Sequence, residues 1–309
     1  MIRTRRVLSV LFSISVLGLA LLVWTQKQAI YDWYKLQGYN PPNAVAQLAT
    51  DTTMVSSARR LFYVHRPNID DKIDFNQHCP TQEQTIILGC YIKNHSIYIF
   101  NVTDNRLNGV REVTAAHELL HAAYDRLSDD ELKSVSSLLK QAYNELDNER
   151  IKKNIAAYRR AGADILNELH SILGTEVRNL PEELDNYYSR YFNNRLRVVE
   201  LSENYESNFT NIKQQAVKLE AKIKRLQVQI NSLGAELDSS RSQLEAQRSE
   251  VDSPAEADSF NARVESYNNA LARLNLMIQE HNTLVKQHRK LVTEQNQLFE
   301  AIDARSSTL

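Results

Sequence analysis

The sequence predicts a mainly α protein with a small β element, an N-terminal transmembrane helix and a C-terminal antiparallel coiled-coil hairpin. Three observations predict it. Of 309 residues only 7 are Gly and 6 Pro while 24% are charged, which favours long helices over a turn-rich β fold. The last hundred residues repeat apolar positions at alternating steps of three and four. Near the amino terminus, Val7 to Trp24 runs eighteen residues without a charge, just long enough to span a bilayer core as a helix.

Arg3, Arg5 and Arg6 precede that run and Lys27 alone follows closely, so the short tail should stay in the cytoplasm and the body cross. A cleaved signal peptide is the competing expectation. Its apolar region is usually shorter and ends in small residues, whereas this one ends Leu21-Leu22-Val23-Trp24-Thr25-Gln26-Lys27, which favours an uncleaved anchor. The expected organisation is a tail and anchor over residues 1–28, a compact domain over 29–198 and the hairpin over 199–309. A net charge of −1 gives no general attraction to nucleic acid.

Cys79 and Cys90 lie beyond the anchor, and in an oxidising compartment a disulfide closing the loop between them is the natural expectation. Asn94, Asn101 and Asn208 fit the glycosylation acceptor pattern, but the first two flank or sit in an expected strand, which makes a bacterial envelope protein the easier picture.

Ala29 to Tyr39 is an aromatic juxtamembrane stretch ending at Asn40-Pro41-Pro42. Asn43 to Val64 then predicts two short helices, with Asp51 as cap of the second. Asp70 to Gly89 is expected to be irregular. Ser96 to Val102 is β-branched and aromatic, a strand, and Asn108-Gly109 turns it into a helix. Ser128-Asp129-Asp130-Glu131 is a capping box opening a helix to about Asn148, with another helical stretch to Arg160. Gly162 precedes a helix over Ala163–Leu173 that Gly174 should stop, and Pro181 opens one rich in Tyr187, Tyr188 and Tyr191.

In the final segment the apolar seam runs from Ile212 through Leu219, Leu226 and Leu233 to Leu244. It resumes through Phe260, Val264, Tyr267, Leu271, Leu274, Ile278, Val285, Val292, Phe299 and Ile302. Pro254 breaks it, because Pro cannot continue a helix interior. Two arms of roughly 45 residues would make a rod about 65–70 Å long at 1.5 Å per residue. His281 and His288 fall on seam positions, seven apart, as polar residues that set register.

The chemistry is concentrated in Val113–Ala123. Residues i and i+4 share a helix face, so His117 and His121 can present two imidazoles to one metal ion. Glu118 lies about 100° further round, near the ion's open side without being a ligand. Every other residue of this stretch is apolar or Thr, so the trio sits in a buried helix where unpaired polar groups are costly and a metal would relieve the cost. The pattern points to Zn2+, two neutral imidazoles and a general base. The plainer alternative is a buried, hydrogen-bonded His pair.

A catalytic zinc needs a third protein ligand, and downstream lie Glu168, His170 and Glu176. The run Asn167-Glu168-x-x-Ser171 following His117-Glu118-x-x-His121 resembles the gluzincin, thermolysin-like metallopeptidases. The resemblance covers roughly Ser96 to Phe192 and implies a zincin-like α+β domain. It implies His117, His121 and Glu168 as zinc ligands and Glu118 as the base. It also puts the strand Ile97–Val102 in the place of the edge strand that pairs with an extended peptide substrate. In one departure, the acidic residue that follows Ser in the family is Ile172 here; Asp164 could orient a ligand instead.

The function expected is therefore a membrane-anchored, extracytoplasmic zinc endopeptidase acting on a peptide or protein. The coiled coil would reach a partner or pair with another copy. The alternative is a non-catalytic envelope scaffold or regulatory protein in which the zincin-like domain is vestigial or its zinc structural. Retention of Glu118, which a structural zinc does not need, speaks for the enzyme.

Overall fold

The computed structural model describes residues 15–21, 23–79 and 86–305. The chain is mostly helical and divides into two compact units, Met1–Tyr205 with Ala301–Leu309, and Glu206–Glu300. The last residues thus belong with the first unit, where Asn76 Nδ2 donates to Ala304 O at 2.7 Å.

In the first unit three short helices, α1 (Lys27–Leu36), α2 (Asn43–Asp51) and α3 (Ser56–Val64), lead into strand β1 (Asn68–Asp70) and helix α4 (Lys72–His78). Strands β2 (Gly89–Tyr91) and β3 (Ile97–Phe100) follow, then helices α5 (Val110–Tyr124), α6 (Asp129–Glu145), α7 (Glu149–Ala161), α8 (Ile165–Glu176) and α9 (Glu182–Tyr188). Among the described residues no helix is long and apolar enough to cross a membrane. Of the expected anchor Val7–Trp24, residues 7–14 and 22 lie outside the described residues. The parts within, 15–21 and 23–24, are helical, with Leu17, Leu19, Leu21 and Trp24 exposed.

Two local expectations are corrected here. Asp51 ends α2 and accepts from Gln47 Nε2, while Val55 precedes α3 at the cap position with no side-chain cap bond. The segment expected to be irregular, Asp70 to Gly89, starts at the last residue of β1 and holds α4. Asp71 caps α4 by accepting from the Ile73 and Asp74 amides, but a seven-residue helix with Phe75 as its one buried residue shows no legible period.

The sheet order is β1-β3-β2. β1 runs parallel to β3, with Asn68 opposite Tyr98, and β2 runs antiparallel to it, with Gly89 opposite Ile99 and Tyr91 opposite Ile97. All four β3 residues are buried and the strand is paired on both sides. The edge beside α5 is therefore β2, not the Ile97–Val102 strand. Cys79, just after α4, is joined to Cys90 in the middle of β2, with Cα atoms 6.1 Å apart.

Helix α5 is apolar almost all round, as a helix buried on every side must be. Val113, Ala115, Ala116, Leu119, Leu120, Ala122 and Ala123 fill the space between the sheet, α2, α3 and α8. Gly109 opens it in the left-handed region, with φ 102°. Gly174 does not stop α8, which continues to Glu176. Its role is close packing: a Cβ there would stand 2.5 Å from Leu120 Cδ1 and 2.7 Å from Tyr188 Cε1. Buried Arg195 braces the end of α8 by donating to Val177 O at 2.6 Å and Arg178 O at 2.9 Å.

The second unit is a pair of long helices, from α10 (Arg195–Gln247) and α11 (Pro254–Ile302). Phe209 meets Phe299 at 5.3 Å between ring centroids, so the two run in opposite directions. Ser253 and Glu256 cap each other reciprocally across Pro254, which sits at the first position of α11 as its missing N–H allows. The inner face of α11 follows the expected seam at Phe260, Val264, Tyr267, Leu274 and Val285, all half-buried, but at four places the buried residue comes one earlier than expected. Ala270, Met277, Leu284 and Leu291 are half-buried and Leu298 fully buried, whereas Leu271, Ile278, Val292 and Phe299 are exposed. Both columns are apolar and repeat every seven residues, so spacing alone fits either. His281 and His288 are half-buried on the inner face.

Candidate metal centre

α5 and α8 pack against each other, which brings the two sequence motifs face to face. His117 and His121, one turn apart, stand with ring centroids 4.7 Å apart and planes at 75°. Glu168, in the first turn of α8, faces both: its Oε2 is 3.9 Å from His117 Nε2 and its Oε1 3.9 Å from His121 Nε2. One ligand atom from each of the three lies within 4.8 Å of the others.

A separation of 3.9 Å is too long for a hydrogen bond. Ligand atoms about 2.0–2.2 Å from a tetrahedral zinc stand roughly 3.4 Å apart. The two His–Glu separations are thus wider by about half an ångström than that geometry, and no two ligand atoms of the trio stand more than 4.8 Å apart.

Protonation follows from burial. It holds His117 well below the ordinary imidazole range, and the neighbouring His121 and His170 act in the same direction. Burial lowers His121 too, against the opposing pull of Asn167, Asp125 and Asp164. Both rings are therefore neutral, the form a metal requires. Asn167 Oδ1 lies 2.9 Å from His121 Nδ1; with that oxygen accepting, Nδ1 carries the proton and Nε2 turns its lone pair toward Glu168.

Glu118 is buried beside the trio but is not part of it. Burial pushes its carboxyl well above the usual range; the charge of Glu168 adds to this and the Tyr91 N–H opposes it. A dication nearby would act in the opposite direction.

The trio and Glu118 line a cleft of about 390 Å³ together with Ile87, Gly89, Cys90, Tyr91, Lys93, Asp125, Tyr158, Asp164 and Asn167. β2 forms one rim, where Lys93 pairs with Asp125 at 3.3 Å. A larger cavity of about 580 Å³ opens between Asp32, Arg60, Arg126 and Arg190; there Asp32 is held by Arg126 at 2.7 and 2.9 Å, and none of the trio lines it.

The other sequence candidates do not join the trio. His170 is wholly buried, its Nε2 2.9 Å from the Tyr187 hydroxyl, and burial with the His121 charge pushes it down to about 3. Glu176 pairs with Arg150 at 2.8 Å. Asp164 accepts from the Leu166 and Asn167 amides as the cap of α8 and faces His121 only through space. Tyr187, Tyr188 and Tyr191 enclose His170, Tyr188 donating to His170 O at 2.7 Å.

Tyr158 on α7 is the tyrosine that reaches the cleft besides Tyr91, and sequence reasoning missed it. Its signal was helical spacing from buried Ile151 and Ile155, which puts all three on one face. Asn167 was quoted in the motif but not recognised as the partner of His121. Comparisons with protein-family models, curated proteins and solved structures return no match.

Proposed function

We propose that this chain is a membrane-anchored zinc metalloendopeptidase of gluzincin type that works on the extracytoplasmic side. One observation carries the proposal. His117, His121 and Glu168 converge at a cleft, and Glu118 lies one residue outside the set, where a base rather than a ligand is needed. Neutral imidazoles and one carboxylate are the donor set that catalytic zinc takes, with the fourth position left open.

Zinc bound there supplies a Lewis acid that polarises a carbonyl and acidifies water. His117 and His121 hold the ion, Glu168 contributes the compensating negative charge, and Asn167 fixes the His121 ring. Glu118 takes a proton from the attacking water and delivers it to the leaving amine nitrogen. Tyr158 is the candidate hydrogen-bond donor to the carbonyl oxygen as charge builds there. The edge strand β2 offers backbone groups to an extended peptide, which is how the substrate would lie along the cleft.

The anchor proposal rests on the uncharged run Val7–Trp24 and on the exposed apolar side chains in its described part. The linked cysteine pair fits an oxidising compartment such as a bacterial envelope. A second proposal, a scaffold that engages partners through the helix pair, is favoured by the exposed column Leu271, Ile278, Val292 and Phe299.

The test is hydrolysis of a broad peptide library by the zinc-loaded protein and its Glu118→Gln form. The peptidase proposal expects cleavage by the parent and none by the variant, with equal zinc in both. Equal cleavage by both would overturn the mechanism, and no cleavage by either would leave the scaffold as the better account.

A further inference from the structure

We infer that Gly89 is a positioning residue for Glu118: the missing side chain lets β2 lie directly on the carboxylate. The inference rests on the proposed role of Glu118 as base. A Cβ at Gly89 would stand 2.7 Å from Glu118 Oε1, 2.9 Å from Glu118 Cγ and 2.5 Å from Thr114 Cγ2. Gly89 is not among the residues with positive φ, so its backbone would accept any side chain. Glycine within a strand is unfavourable unless something approaches closely, and here the approaching group is the proposed base.

The ladder explains how the strand reaches it. The Phe100 N–H donates to Leu88 O at 2.8 Å and the Ile92 N–H to Ser96 O at 2.9 Å. Even-numbered residues of β2 therefore bond to β3, and by the alternation of an antiparallel pair Gly89 and Tyr91 turn their amides to the open edge. From there the Tyr91 N–H pulls the Glu118 carboxyl down, against the effect of burial. Cys90 between them is tied to Cys79. Glu118 is thus confined on the β2 side by an anchored strand. Confinement of this kind matters because a misplacement of about 1 Å can cost roughly 100-fold in rate.

The test compares Gly89→Ala, Thr114→Ala and the double variant with the parent and with Glu118→Ala. Thr114→Ala removes the second obstruction, so the double variant can fold while its new Cβ still meets Glu118. Three readouts are taken: amide hydrogen exchange at Tyr91 in the metal-free full chain, zinc content, and kcat with KM. Thr114→Ala should match the parent throughout. The double variant should exchange Tyr91 as fast as Glu118→Ala does, keep its zinc and its KM, and lose about 100-fold in kcat. Parent-like Tyr91 protection and kcat in the double variant would overturn the inference, as would loss of zinc, which would assign Gly89 to the packing of the metal site. Faster Tyr91 exchange in a protein whose parent cleaves no peptide would refute the peptidase proposal while leaving this contact in place.

Discussion

Asn167 and His121 meet across the α5–α8 interface at 2.9 Å, Asn167 Oδ1 against Nδ1, and the residue after Asn167 is the candidate ligand Glu168. One turn of α8 therefore supplies both a ligand and the group that orients another ligand.

Replacing Asn167 with Ala should weaken zinc binding by about 10–100-fold, the usual effect of losing the group that orients a metal-binding His. The fold should persist, since Asn167 is only partly buried. Competition with a chromophoric chelator checks this. Unchanged affinity would mean that the Asn167 contact does not set the ring's tautomer.

Gly174→Ala should destabilise the first unit by about 1–3 kcal/mol, the usual cost of overpacking a filled core. The added methyl meets the fully buried Tyr188 ring as well as Leu120, and the ring has nowhere to go. Urea unfolding followed by tyrosine fluorescence measures the difference. A neutral result would show that α5 and α8 can separate without loss.

Acid should destabilise the metal-free protein through its buried histidines. Burial lowers His65 to about 4 and His170 to about 3, both below the unfolded value near 6.5. The unfolded chain then binds more protons across that window. Their contribution is complete above about pH 6.5 and is lost as pH falls toward about 4 for His65 and about 3 for His170. Neither ring nitrogen of His65 has a hydrogen-bond partner among the described residues. His65→Phe should therefore fold normally near neutral pH and show a shallower loss of stability in acid. Urea midpoints measured in EDTA across pH 5–7.5 decide it; an unchanged slope would remove His65 from the account.

The helical content, the capping box at Ser128 and the shared face of His117 and His121 were legible in the sequence because each rests on local spacing, whereas Glu168 was singled out only by the resemblance, and the fold brings it to the pair. His117 and His121 are one turn apart, and the Ser128–Glu131 pair closes within a single turn. What escaped the sequence depends on contacts between distant segments. Gly174 looked like a helix stop because its packing against Leu120 and Tyr188 leaves no local mark. Ile97–Val102 looked like the edge strand because the three-residue strands on either side of β3 are too short to show alternation. Four seam positions of α11 fall a residue earlier than expected because two adjacent columns are equally apolar. Tyr158 and Gly89 enter the cleft only through the fold, one from a helix and one from a strand remote from the motif.

Zinc uptake tests the central claim most directly. Calorimetric titration of the metal-free full chain should give one zinc per chain for the parent and for Glu118→Gln, and no tight binding for His117→Ala or His121→Ala, since each of those removes one of only three protein ligands. Loss of zinc in Glu118→Gln, or a parent that takes up none, would contradict the site proposed here.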